Sequence, residues 1–92
     1  MSEDYFNESV PNGIANAVYE LFPETECNGQ DGYELLTDTF GSNVDGQAFR
    51  TFTSEHCEKM AQSIQNYFEL EQTVSAQQGR YVIEWALNQW DG

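Results

Sequence analysis

The sequence predicts an α+β fold, a small single domain of two helices packed on a short antiparallel sheet of hairpins. Two segments, "PNGIANAVYELFP" and "SEHCEKMAQSIQNYF", carry apolar residues at helical spacing. The last third, "FELEQTVSAQQGRYVIEWALNQW", alternates apolar and polar residues in two runs with a glycine between them. Finally, 92 residues leave room for one core, so residues 1–92 form a single acidic domain.

Residues 1–10 read as a polar, loose start. A first helix follows at about 13–22, with Ile14, Ala17, Val18, Leu21 and Phe22 on one face, Asn12 as its cap and Pro23 as its stop. "ETECNGQDG" is rich in turn residues and reads as a loop. Over 31–41 two readings stand. Asp31 and Glu34 suit the start of a short helix ended by Gly41, whereas Thr37, Thr39 and Phe40 suit a strand. "NVDGQAFRTFT" reads as extended, with Asp45-Gly46 as a two-residue turn. Thr53 or Ser54 then caps a second helix that buries Cys57, Met60, Ile64 and Phe68, with Ala61 and Tyr67 at the edges of the stripe. For 68–90 the hairpin is preferred, because Tyr81, Val82, Ile83 and Trp85 are strand-forming and Gly79 can turn the chain in a left-handed conformation. A third helix at about 76–90, capped by Ser75, is the rival.

The charge is lopsided. Met1 to Phe49 holds ten acids and no base; Arg50 to Gly92 holds six acids and three bases. The formal net charge of −13 creates a one-signed field that favours encounter with a positive surface and mildly favours a monomer. The same field disfavours direct contact with nucleic acid, whose phosphates need Lys and Arg. No apolar run approaches the length of a membrane span, and "MSEDYFNE" lacks the basic start of a signal peptide, so no membrane partner is expected and the localisation is read as cytoplasmic. Cys27 and Cys57 are then expected as reduced thiols.

Known chemistries find little purchase. With Gly46 at the sixth position of a calcium loop, Asn43 and Asp45 fall on ligand positions, but Gly41 and Phe52 occupy two that need oxygen donors. Two cysteines and a single histidine without C-x-x-C spacing do not make a zinc site. His56 sits in the first turn of a helix, beside no suitably placed nucleophile, and no glycine-rich phosphate loop is present. The expectation is a non-enzyme with no metal and no cofactor.

The acids themselves are the candidate site. Glu20, Glu24, Glu26, Asp31, Glu34 and Asp38 lie within nineteen residues, mostly in polar context, and Glu69 and Glu71 would extend them on one side of a strand. Such a face competes for the Lys and Arg that otherwise meet phosphates. Tyr5, Tyr33 and Trp90 are candidate exposed anchors for a protein partner. A solvated acidic surface is the bland reading, with Lys59 the only lysine.

In size, acidity and lack of any catalytic motif, the chain resembles small phage-encoded inhibitors of bacterial defence, namely anti-CRISPR proteins and antirestriction DNA mimics. The likeness covers the whole chain in character but rests on no shared motif, so it assigns no residue. It implies an acidic inhibitor that binds a basic nucleic-acid-binding protein or ribonucleoprotein. An anti-CRISPR that blocks target-DNA binding by a type I RNA-guided effector complex, in the bacterial cytoplasm, is the favoured form. The alternative from the same charge argument is an immunity protein or antitoxin that neutralises a basic nuclease toxin.

Overall fold

The computed structural model describes residues 3–91, with side chains from Phe6 onward, and it is all-helical. Five α-helices run in order: α1 (Glu3–Leu21), α2 (Gly29–Phe40), α3 (Gly46–Arg50), α4 (Ser54–Tyr67) and α5 (Ala76–Asp91), with a single 3₁₀ turn at Pro23–Thr25. The antiparallel sheet expected from the sequence is absent among the described residues, where helix accounts for 77% and strand for 0%.

The second helix and its Thr53 cap stand as expected, although Phe68, expected in the buried stripe, is half-buried just past the helix end and Ala61, expected at the edge, is buried; Pro23 does follow the end of the first. The other boundaries need correction. The first helix begins at Glu3, ten residues earlier than expected, so residues 3–10 are its opening turns rather than a loose start. It runs through Pro11, which lacks an N–H and leaves the Asn7 carbonyl without its helical donor. Burying Phe6, Val10 and Ile14 in the core holds the helix together across that gap. Between 29 and 40 the helical reading prevails. Asn28 Oδ1 accepts from the Asp31 N–H at 3.0 Å, and Asp31 Oδ2 accepts from the Asn28 N–H at 3.2 Å. This capping box therefore pairs Asn28 with Asp31, not Asp31 with Glu34.

Asp45-Gly46 makes no hairpin turn. Asp45 instead caps the one-turn α3, its Oδ1 accepting from the Ala48 N–H at 2.8 Å. The preferred hairpin over 68–90 is also overturned. Ser75 Oγ accepts from the Gln78 N–H at 3.1 Å and Gln78 Oε1 from the Ser75 N–H at 2.9 Å, which closes a capping box at the start of α5. Gly79, Val82, Ile83, Ala86 and Trp90 are the buried set, with a spacing of 3, 1, 3 and 4. Tyr81, Ile83, Trp85 and Leu87 do alternate, yet of these only Ile83 is fully buried. Gly79 is not left-handed; it is a contact point between helices.

Helix α1 packs on α2 and α5, and α4 packs on the same two, so the four long helices form a closed ring around one core. Glycines allow the tight crossings. A Cβ on Gly32 would collide with the Pro11 carbonyl oxygen of α1, and one on Gly79 with the Cys57 carbonyl oxygen of α4. Ile14, Leu35, Leu36, Phe49, Met60, Ile64, Val82 and Ile83 fill the centre with no more than 1% of their surface exposed. No helix among the described residues is long and apolar enough to cross a membrane.

Candidate functional site

Three of the acids singled out by sequence meet at one groove. Glu24, from the 3₁₀ turn, faces Glu69 and Glu71 from the α4–α5 connection across a cleft of about 440 Å³. Half-buried Phe68 and Leu70 also line it, so carboxylates and apolar surface meet within one groove. Gln72 Nε2 donates to Glu24 Oε2 at 3.3 Å and ties the two walls together.

The chain makes this groove by ending α4 sharply. The Leu70 N–H reaches back to the Gln65 carbonyl at 3.0 Å and the Glu69 N–H to the Asn66 carbonyl at 3.3 Å, the paired bonds of a Schellman cap. That cap requires a left-handed residue, and Glu69 supplies it at φ 51°. Glu26 adopts the same conformation, at φ 47°, to close the 3₁₀ turn. These are the only non-glycine residues with positive φ among the described residues, at positions where glycine or asparagine is ordinarily found.

A second group continues from the first. Asp31, Glu34 and Asp38 lie at positions i, i+3 and i+7 of α2 and share one face, about 10 Å long at 1.5 Å per residue. Tyr67, 42% exposed at the end of α4, links the two groups. Its hydroxyl donates to Asp31 Oδ1 at 2.8 Å, and its ring packs edge-on against Phe68 of the groove at 4.9 Å. The bond to Asp31 raises the Tyr67 pKa, with desolvation, Asp31 and the Glu34 charge adding to it. Both Asp31 oxygens are occupied, one by Tyr67 and one by the cap of α2, so Asp31 braces the acidic ridge formed by Glu24, Glu69 and Glu71 with Glu34 and Asp38 without being one of its free carboxylates. Glu34 and Asp38 are exposed.

Glu20 and Glu26 stand differently. Glu20, near the end of α1, lies against Tyr81 of α5, whose pKa is raised first by partial desolvation and then by the Glu20 charge. Glu26 is exposed beyond the 3₁₀ turn. Of the expected anchors, Tyr33 is exposed at 46%. Trp90 is not an anchor: it is 3% exposed, packed edge-on to Phe6 at 5.0 Å and covered by the Arg50 guanidinium at 4.2 Å. The side chain of Tyr5 lies outside the described residues. Tyr67 escaped the sequence reading because it sits at the edge of the buried stripe of α4, where helical periodicity does not say whether a ring turns inward.

The bases complete the picture. Arg50 holds Asp91 through two contacts, Nη2–Oδ1 at 2.8 Å and Nε–Oδ2 at 2.9 Å. Arg80 pairs with Glu84 at 3.2 Å and Lys59 with Glu55 at 3.7 Å. Every cationic side chain is thus matched to an acid outside the ridge, and among the described residues no ridge carboxylate has a cation within 4 Å. Among the described residues no group of three or more His, Cys, Asp or Glu side chains converges closely enough to hold a metal ion. The two thiols are buried and unpaired; burial first, with Asp31 assisting, pushes Cys27 up to about 12, and burial raises Cys57 as well. No protein-family model, curated protein or solved structure matches this chain.

Proposed function

We propose that this protein is an acidic inhibitor that docks the ridge formed by Glu24, Glu69, Glu71, Glu34 and Asp38 on the basic, nucleic-acid-binding surface of another protein. The observation that carries the reading is the segregation of charge. All three cations are neutralised elsewhere, so the ridge presents a one-signed field with an aromatic ring at its middle. Uncompensated carboxylates lower the stability of the fold by mutual repulsion and raise the rate of encounter with a positive partner. The left-handed Glu69 supports the same reading, since it keeps a ridge carboxylate where a glycine would be less strained.

An RNA-guided effector complex of type I is the favoured partner, because its DNA path must be lined with cations along a considerable length. The test is a gel-shift titration in which such a complex binds target duplex in the presence of the protein. The expected result is loss of DNA binding at stoichiometric protein, no loss with a variant in which Glu24, Glu34, Asp38, Glu69 and Glu71 are changed to their amides, and binding of the protein to the complex that weakens with salt. Inhibition that persists unchanged in that variant refutes the ridge as the docking surface, and binding insensitive to salt refutes the electrostatic account. If DNA binding is untouched while a basic nuclease toxin is neutralised in the same assay format, the target is a toxin and the protein acts as its immunity partner.

A further inference from the structure

We propose that a second cavity, lined by α1, α2 and the turn before α3, receives an arginine side chain of the basic partner. The inference rests on the reading above and assigns a contact that lies outside the ridge.

The cavity measures about 470 Å³ and lies among Phe6 and Asn7 of α1, Tyr33 of α2, and residues 42–45. Its chemistry has two parts. Exposed Tyr33 and half-buried Val44 supply apolar surface over a floor of buried Phe6, which is itself fixed by edge-on contacts to Phe49 at 5.9 Å and Trp90 at 5.0 Å. Asp45, Ser42 and Asn43 supply acceptors on a single short segment. Asp45 is held in place by its cap to α3, in which Oδ1 accepts from the Ala48 N–H at 2.8 Å, and the only hydrogen bond its carboxylate makes among the described residues is that one. The side chains of Ser42 and Asn43 make no hydrogen bond among the described residues.

These features select one kind of side chain. A purely apolar group would leave the exposed Asp45 carboxylate to water and gain nothing from its charge. A lysine would satisfy the charge but brings a compact, strongly hydrated head to a site with several separated acceptors. An arginine lays its methylene stem on half-buried Val44, above the buried Phe6 ring, presents its planar head to the exposed Tyr33 ring, and has five donors to distribute among Asp45, Asn43 and Ser42. The protein's own arginine on α3 is not a competitor, since Arg50 is committed to Asp91 and stacked on Trp90. Tyr33 is also next in sequence to Glu34, so an occupied cavity and the α2 carboxylates would engage one continuous surface.

The experiment is an amide chemical-shift titration of the full chain with N-acetyl-arginine methylamide, run in parallel with the lysine and norleucine analogues. Saturable shifts at Phe6, Tyr33, Val44 and Asp45 are expected with the arginine probe and not with norleucine. Asp45→Asn retains a good helix cap while removing the charge, and is expected to weaken the arginine probe about threefold to fivefold, the range for one partly exposed ion pair. Tyr33→Ala, at an exposed position, is expected to weaken it as well without unfolding the protein. Shifts confined to Glu24, Glu69 and Glu71 would overturn this inference while leaving the basic-partner reading standing. Equal response to norleucine, or an undiminished response in Asp45→Asn, would overturn it too, and equal response to lysine would refute the selection of arginine. Absence of shifts at both places would remove the inference and weaken the ridge reading together.

Discussion

Glu69 is the residue at which fold and proposed function pull apart, and replacing it measures both. Its backbone is left-handed at φ 51°, as the Schellman cap of α4 demands, and an L-residue with a Cβ pays roughly 1–2 kcal/mol for that conformation. Glycine removes this strain but gains conformational freedom in the unfolded chain, at a cost of roughly 0.5–1 kcal/mol. The net expectation for Glu69→Gly is a stabilisation of about 0.5–1 kcal/mol. In a domain of this size that raises Tm by about 2–8 °C. Glu69→Gln separates charge from backbone: it removes the carboxylate, keeps the strain, and as a surface substitution is expected to change stability by no more than about 0.5 kcal/mol. Thermal unfolding followed by far-ultraviolet circular dichroism reads both variants under one salt condition. Glu69→Gly must melt above Glu69→Gln, and both should weaken partner binding alike because both lose the same carboxylate. If the glycine variant melts no higher than the glutamine variant, the strain at Glu69 does not exceed the roughly 0.5–1 kcal/mol that glycine costs, and Glu69 is not held there against a net gain in stability.

Two further outcomes follow from the core. Gly79→Ala would drive a Cβ into the Cys57 carbonyl of α4, where only backbone can give way, so the gain of about 1 kcal/mol in helix propensity is outweighed by overpacking and the variant should lose about 2 kcal/mol; a denaturant midpoint equal to that of the parent would show that α4 and α5 are not held in this crossing. Cys27, with its thiol pushed up to about 12 from an ordinary value of 9.0, should resist a disulfide reagent at pH 8 in the folded protein and react promptly in denaturant. Since the folded thiol keeps its proton where the unfolded one has lost it, this group's contribution to stability is whole below about pH 9 and is lost as pH rises towards about 12. Fast labelling of Cys27 in the native state, read by mass spectrometry of the digested protein, would contradict its burial.

The α4 segment was legible because the stripe Cys57, Met60, Ile64 and Phe68 has only a helical period, of which the structure buries the first three together with Ala61, and because Thr53 caps it locally. The start of α1 was not, since Asn12 reads as an N-cap and residues 1–10 as a polar, loose start. Only the burial of Phe6, Val10 and Ile14 against other helices makes a continuous helix worth more than the hydrogen bond lost at Asn7. Asp45-Gly46 carries one local signal with two meanings, turn or helix cap, and the burial of Phe49 under Phe6 and Phe40 selects the second. Over 76–91 both periods were present. There the β-forming side chains favoured a hairpin in isolation, but Gly79 lets α5 approach α4 to backbone contact, and that packing outweighs intrinsic propensity.

Of the site, composition by itself determined the sign of the surface charge and the set of acids from which any docking face must be drawn. It did not distinguish their roles. Tertiary structure brought Glu24 to Glu69 and Glu71 across more than forty residues, tied Asp31 into a cap and a tyrosine, and turned Trp90 inward. The physical reason is that net charge and local periodicity are sums over neighbours in the chain. Which carboxylates share a surface depends instead on where helices cross, and here two glycines and the caps of four helices decide that.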